Sequence, residues 1–178
     1  MTDDRKMPRT QLPAFREANE TSGRPGENRI ALVFYHAGWM VQGYGSGPSH
    51  DLVLSHAGAT FWVEVKNEDK NADTGNICVE CYQRATRIFS GIYTSESQIW
   101  IHTLADMAVV YRAQNMRNFL ETWRLSHNPG EYGDNKNLSY LVPIGCVQRE
   151  AWCDRCRVDD LPNSPVFREV NAPPAWDG

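Results

Sequence analysis

Asp51, Glu64 and Lys66 are two acids and an amine that the local sequence pattern brings to one place. Residues 51–66 read DLVLSHAGATFWVEVK. Leu52, Val53 and Leu54 form an apolar run, and His56-Ala57-Gly58-Ala59 supplies a glycine-centred turn. Phe61, Val63 and Val65 then alternate with Trp62, Glu64 and Lys66, so the stretch is predicted to be a β-hairpin. Period-two geometry sets Glu64 and Lys66 on one face. Antiparallel pairing returns the end of the second strand to Asp51, so two carboxylates and an ammonium converge. A hard cation such as Mg2+ takes oxygen ligands and keeps several waters. Asp51, Glu64 and the Val65 carbonyl could hold one and leave places for water and a phosphate oxygen. The cation would polarise a phosphoryl group and acidify a bound water, with Lys66 orienting that water or offsetting charge on phosphorus. The same residues also fit a plain solvated sheet face on which Glu64 and Lys66 simply pair.

The flanking segments supply the scaffold. Pro25-Gly26-Glu27 opens a helix, with Pro suited to the first turn and Glu27 to the positive end of the dipole. Ile30, Val33, Phe34 and Ala37 follow at helical spacing, and Gly38 is a natural stop. Glu27 lies on the same stripe. Trp39-Met40-Val41 reads as a first strand, and residues 43–47 as a glycine-rich loop without the Lys-Ser/Thr signature of a nucleotide-binding loop. Beyond Lys66, residues 67–75 form a polar loop. Residues 76–82 resume strand character, with Asn76, Cys78, Glu80 and Tyr82 on one face. Ser95 and Gln98 fit a capping box opening a helix that carries Ile99, Trp100, Ile101 and Leu104. Residues 107–111 read as a buried strand, Met116, Phe119, Leu120 and Trp123 as a helix stripe, and residues 138–144 as a last strand.

Asp51, followed by Glu64-Val65-Lys66 on the next strand, resembles the PD-(D/E)XK nuclease superfamily, which takes in restriction endonucleases, Holliday junction resolvases and phage exonucleases. The resemblance spans roughly residues 27–111, and in it His50 stands where a proline often precedes the first acid. It implies a restriction-endonuclease-like α/β core, a mixed central sheet flanked by helices. It also implies Mg2+- or Mn2+-dependent hydrolysis of phosphodiester bonds, with DNA the expected partner. Asp51 and Glu64 would bind metal with the Val65 carbonyl, and Lys66 would position the water. The family often places a further Glu on the preceding helix, a role that Glu27 matches, although a first-turn Glu also serves the helix terminus. Thr74-Gly75-Asn76 with Glu80 further on is similar to some phage and prokaryotic branches. Glu80 is therefore either an additional catalytic acid, serving a second metal or acting as base, or a surface strand residue. His50, Asn76 and Gln83 are candidate substrate contacts. A protein that keeps this fold and binds nucleic acid without turnover is the main alternative.

A chain of 178 residues suits one domain. The expected division is a polar arm over residues 1–24 with a short helix at 13–20, a nuclease-like domain over 25–150, and a proline-rich extension over 151–178 anchored by Phe167 and Trp176. The net charge of −4 argues against a large non-specific grip on duplex DNA, since counterion release needs many cations. Basic residues cluster only locally, at Arg84 and Arg87, at Arg112, Arg117 and Arg124, and at Arg149, Arg155 and Arg157. Cys78-x-x-Cys81 and Cys153-x-x-Cys156 allow one tetrahedral zinc site and with it a third reading, a zinc-stabilised interaction module, yet a CxxC inside a strand points its thiols apart. No apolar run is long enough for a bilayer and no signal peptide opens the sequence, so a cytoplasmic protein of a prokaryotic or phage-infected cell is expected, without membrane contact and compatible with a homodimer.

Overall fold

Parallel strands cannot be joined by a tight turn, and one parallel pair decides the layout of this chain. The computed structural model describes residues 25–44, 50–132, 137–150 and 153–168. In order these form α1 (Pro25–His36), β1 (Met40–Tyr44), β2 (Leu52–His56), β3 (Ala59–Asn67), β4 (Asn76–Gln83), β5 (Ile99–Leu104), β6 (Met107–Arg112), α2 (Ala113–Trp123), β7 (Asn137–Pro143), α3 (Ile144–Glu150), β8 (Asp154–Arg157) and α4 (Pro165–Arg168). Six strands make a mixed sheet in the order β1-β2-β3-β5-β6-β8, while β4 and β7 pair in a separate two-stranded sheet. Only β3 and β5 are parallel in the larger sheet, with Val63 opposite Ile99 and Lys66 opposite His102. The crossover between them is not a helix. It is a 3-10 turn (Asp69–Thr74), β4, and a tight return through a second 3-10 turn (Gly91–Tyr93). The result is an α/β architecture, a mixed central sheet flanked by helices.

The predicted hairpin is present, with Leu52 opposite Val63 and His56 opposite Ala59. Its two central residues, Ala57 and Gly58, have φ of 51° and 83°. Two left-handed residues make the kind of turn whose twist matches the flanking strands. Helix α1 ends where glycine was expected to end it: Gly38 has φ 87°, and its N–H reaches the Tyr35 carbonyl at 3.0 Å.

One face of the large sheet is covered from end to end. Ile30, Ala31 and Phe34 of α1 pack on Val41, Leu52, Leu54, Phe61, Val63 and Val65, and the cluster runs on to Ile101, Val110 and Phe167. The other face is covered in part. Trp100, Leu104, Val109 and Tyr111 pack under Ile77, Val79, Cys81, Tyr140 and Val142 of the small sheet and Met116 and Leu120 of α2. Among the described residues nothing covers that face over β1 and β2 and the start of β3, where Met40 is 53% and Trp62 41% exposed.

Two expectations are corrected. Residues 99–104 are a strand buried at every position, not a helix. Gln98 does not close a capping box, because its side-chain oxygen accepts the Trp62 N–H at 3.1 Å and its own N–H donates to the Trp62 carbonyl at 2.9 Å. Those bonds start the β3–β5 pairing. The predicted last strand is present as β7, and it pairs with β4 in the small sheet. Residues 153–168 belong to the domain, since β8 pairs with β6 as the sheet edge. The Phe167 ring lies 5.0 Å from Phe34, 5.4 Å from Trp39 and 5.5 Å from Phe61. The arm, its helix at 13–20, the loop at 45–47 and Trp176 lie outside the described residues. Among the described residues no helix is long and apolar enough to cross a membrane.

Candidate active site

The hairpin's own geometry assembles the first three groups. Phe61, Val63 and Val65 turn into the core, so Trp62, Glu64 and Lys66 form a row on the opposite face of β3. β2 begins at Leu52, and the chain just before it passes the end of β3. The Asp51 N–H donates to the Val63 carbonyl at 2.9 Å, and Asp51 Oδ2 accepts the Val65 N–H at 2.8 Å. The N–H and C=O of one strand residue point to the same strand edge. The Val65 carbonyl therefore faces the edge where the Asp51 carboxylate stands.

Glu64 and Lys66 sit at the step where the covered half of this face gives way to the open half. Lys66 Nζ lies 2.7 Å from Glu64 Oε1, with side-chain exposures of 33% and 13% respectively. The ammonium also stands 5.3 Å from the centre of the Trp100 ring, a cation–π distance. Burial pushes the Glu64 carboxyl above the ordinary carboxylate range; Lys66 opposes the shift, and the charges of Asp51 and Glu80 add to it. Burial alone would lower the Lys66 ammonium, but Glu64, Asp51 and Glu80 together hold it above its ordinary value. Three carboxylates thus act on one amine, an excess of negative charge in a half-buried place.

Glu80 reaches this group from the other sheet. The bulge in the β4–β7 pairing falls between Glu80 and Tyr82. The Glu80 carboxylate accepts the Ser90 hydroxyl at 3.2 Å. The chain returning from the β4 tip presses directly on it: a Cβ added at Gly91, which has φ 53°, would stand 2.4 Å from the Glu80 carbonyl oxygen. Only glycine fits there.

The remaining predicted residues are placed less closely. Glu27 lies in the first turn of α1, a helix whose Gly26 abuts Asn67, the residue after Lys66. The His50 ring stacks on Trp62 with centroids 5.4 Å apart, beside the cluster. Asn76 and Gln83 stand at opposite ends of β4, about 23 Å apart by strand rise, so they do not share one site. Asn76 closes a local turn on Thr74, and Gln83 accepts the Thr86 hydroxyl.

Sequence reasoning overlooked a second polar group one register position away. Glu68, 8% exposed, accepts the Cys78 N–H with both carboxylate oxygens, at 3.0 and 2.9 Å, and accepts a hydrogen bond from His102 Nδ1. His102 Nε2 lies 2.6 Å from the Tyr111 hydroxyl, and both rings are fully buried. Burial holds the Tyr111 phenol well above the usual tyrosine range, so its hydroxyl stays protonated beside Nε2. The signal in the sequence was Glu68 itself, which extends the alternation of Glu64 and Lys66.

The oxygen donors of Asp51, Glu64 and the Val65 carbonyl suit a hard cation. Among the described residues, no group of three or more His, Cys, Asp or Glu side chains stands close enough to hold a metal ion by itself. An ion here would rely mainly on two carboxylates, the carbonyl and water, the habit of Mg2+. The cysteines do not offer another centre. Cys78 and Cys81 point to opposite faces of β4, and all five are free thiols. Burial pushes Cys81, Cys153 and Cys156 up to about 12. A cavity of about 280 Å³, lined by Arg112, Arg149 and Asp154 among others, contains none of the cluster residues. Comparison with protein-family models finds none that matches the chain, and comparison with curated proteins and with solved structures returns no significant match.

Proposed function

We propose that this chain is a divalent-metal-dependent phosphodiesterase acting on nucleic acid, with DNA as the substrate, on a restriction-endonuclease-like version of its α/β fold. The observation that carries the reading is the meeting of Asp51, Glu64, Lys66 and Glu80 at the step in the sheet face, with three acids around one amine. A polymer lying on the open half of the sheet would meet this group at its edge.

Bound Mg2+ or Mn2+ would supply Lewis-acid polarisation of the phosphate and an acidified water. Asp51, with one oxygen fixed by the Val65 N–H, presents the rest of its carboxylate toward the Val65 carbonyl edge. Glu64 gives the second carboxylate, and its raised proton affinity makes it the group whose ionisation gates the site. Lys66, held protonated by its acidic neighbours, orients the attacking water and offsets charge on the phosphoryl oxygens. Glu80 accepts the proton of that water or helps to order it. Cleavage then breaks one P–O bond as the water oxygen forms another, and the departing oxygen takes a proton from solvent or a bound water.

The test is incubation with plasmid, single-stranded and branched DNA in Mg2+, in Mn2+ and in EDTA. Cleavage should require the cation and disappear in Lys66→Ala. Activity that survives EDTA, or that survives loss of Lys66, overturns the proposal. A second reading, nucleic-acid binding without turnover, is favoured by the Lys66–Glu64 pair at 2.7 Å, which neutralises Glu64 without an ion. It predicts inert protein on every substrate and no calorimetric signal on titration with Mn2+.

A further inference from the structure

Arg149, Arg155 and Arg157 cluster in the sequence, and the hydrolytic site uses none of them. The fold brings Arg112 to the same place. The cavity of about 280 Å³ opens between the end of β6 and the start of β8, with Arg112 and Arg149 on its wall beside the amides of Asn115 and Gln148. Among the described residues Arg149 donates only to the Cys146 sulfur, a weak acceptor, at 3.6 Å. From the cavity the basic row continues along β8. Cys153 packs on the α2 side of the sheet and Cys156 on the α1 side, so Arg155 and Arg157 project on the same side as Cys153. Both are exposed and roughly 7 Å apart along the strand, and neither is in an ion pair among the described residues.

Acids limit this row without cancelling it. Asp154 lines the cavity but lies with Cys156 on the other side of β8, where that thiol hydrogen-bonds to it. Asp159 and Asp160 follow Arg157 and end the run. Charges on an edge strand also deter strand pairing, yet that duty does not call for Arg112 and Arg149 at the head of the same row. Guanidinium forks match phosphate oxygens in pairs. Among the described residues no exposed large apolar side chain lies on β8 or α3, as a membrane-bound surface would require.

The register ties the row to the acids. Arg112 stands opposite Ile99, Ile99 opposite Val63, and Val63 opposite Leu52, the neighbour of Asp51. The cavity and the acid cluster are thus level, about 14 Å apart across three strand spacings, with exposed Gln98 between them. From this arrangement we infer that the cavity and the β8 row form a second nucleic-acid contact outside the bond that is cut, in which Arg112 and Arg149 hold one backbone phosphate and Arg155 and Arg157 the ones beyond it. The inference rests on the hydrolytic reading for the choice of a nucleic acid, but its binding test needs no turnover.

The experiment is fluorescence anisotropy of labelled DNA 20-mers, single-stranded and duplex, in EDTA over a range of salt concentrations. Arg149→Gln, Arg155→Gln and Arg157→Gln should each weaken the better-bound form about fivefold, equally for unrelated base sequences, and each should lower the slope of log Kd against log salt by about one. Arg155→Lys and Arg157→Lys keep the charge and should keep that slope. Arg84→Gln removes the same charge from the pair that Arg84 makes with Glu131 at the β4 tip, and it should leave binding unchanged. Circular dichroism melts identify any variant that fails to fold, and the lysine substitutions then decide. No binding of either form, binding indifferent to all three row variants, or an equal loss in Arg84→Gln overturns the inference. So does displacement of the DNA by polyglutamate at equal charge concentration, which would assign the row to an acidic protein. Row-dependent binding by a protein inert with Mg2+ and Mn2+ leaves the inference standing and removes the hydrolytic reading. Metal-dependent cleavage whose KM and kcat are unchanged in the three glutamine variants does the reverse.

Discussion

On one face of the large sheet, Glu68, His102 and Tyr111 form a polar group, and one register position along, Asp51, Glu64, Lys66 and Glu80 form another. In the first, carboxylate, imidazole and phenol sit in a chain of matched donors and acceptors, and the Cys78 N–H occupies both carboxylate oxygens. Fully satisfied buried networks fix a structure. In the second, one amine answers three acids and a third of its side-chain surface is still exposed. Closed polar groups hold strands together; groups left short of positive charge at a covered-to-open boundary are suited to receiving a cation and a charged substrate. Glu68 joins the two roles, because the N–H it binds lies two residues from Glu80 on β4.

The comparison can be broken first at its most active member. Lys66→Ala should lower metal-dependent cleavage about 10³-fold, about 4 kcal/mol of transition-state stabilisation, in steady-state assays. Loss of folding rather than rate would place Lys66 with the structural group. Glu68→Ala should act in the opposite sense, removing about 3 kcal/mol of stability in urea titrations by leaving His102 and the Cys78 N–H without an acceptor in a buried place. A variant that melts normally yet loses activity would reverse the assignment. Gly91→Ala should cost about 2 kcal/mol, since the added Cβ meets the Glu80 backbone and the positive φ is strained for alanine. Activity should fall with it by more than the folded fraction explains, as Glu80 shifts.

The smallest effect is one of pH. The Glu64 carboxyl is raised from its ordinary 4.5, so it takes up a proton on acidification before an ordinary carboxylate does. Cleavage should therefore decline on the acid side at a pH above 4.5, and Asp at position 64 should move that limb. For stability the sign is the reverse of the usual acid: the fold binds the proton more tightly than the unfolded chain, so the Glu64 contribution falls as pH rises from 4.5 through the raised value. Differential scanning calorimetry across that interval measures it.

The hairpin and its acids were legible because their information is local: a period of two, a glycine turn and a run of 16 residues contain it. The strand at residues 99–104 was not, because a strand buried on both faces has no alternation, and Ser95 with Gln98 imitates a helix start while Gln98 in fact bonds across to Trp62. His102 was overlooked for the same reason, and Glu68 because its partners lie 10 and 34 residues away. That β4 and β7 leave the central sheet is a long-range choice that composition does not encode. The prolines near the C-terminus suggested an extension, yet Val166 and Phe167 between them are core residues.

The segment between β3 and β5 does two things at once: it joins a parallel pair and it delivers residue 80 to the acids of the hairpin. Hairpin β2–β3 can zip up from nearest neighbours alone, but its carboxylates acquire their third companion only when the small sheet docks. Recovery of function after refolding should consequently trail the first burst of strand formation and coincide with burial of Trp100, so that the protein stays chemically silent until its last layer is in place.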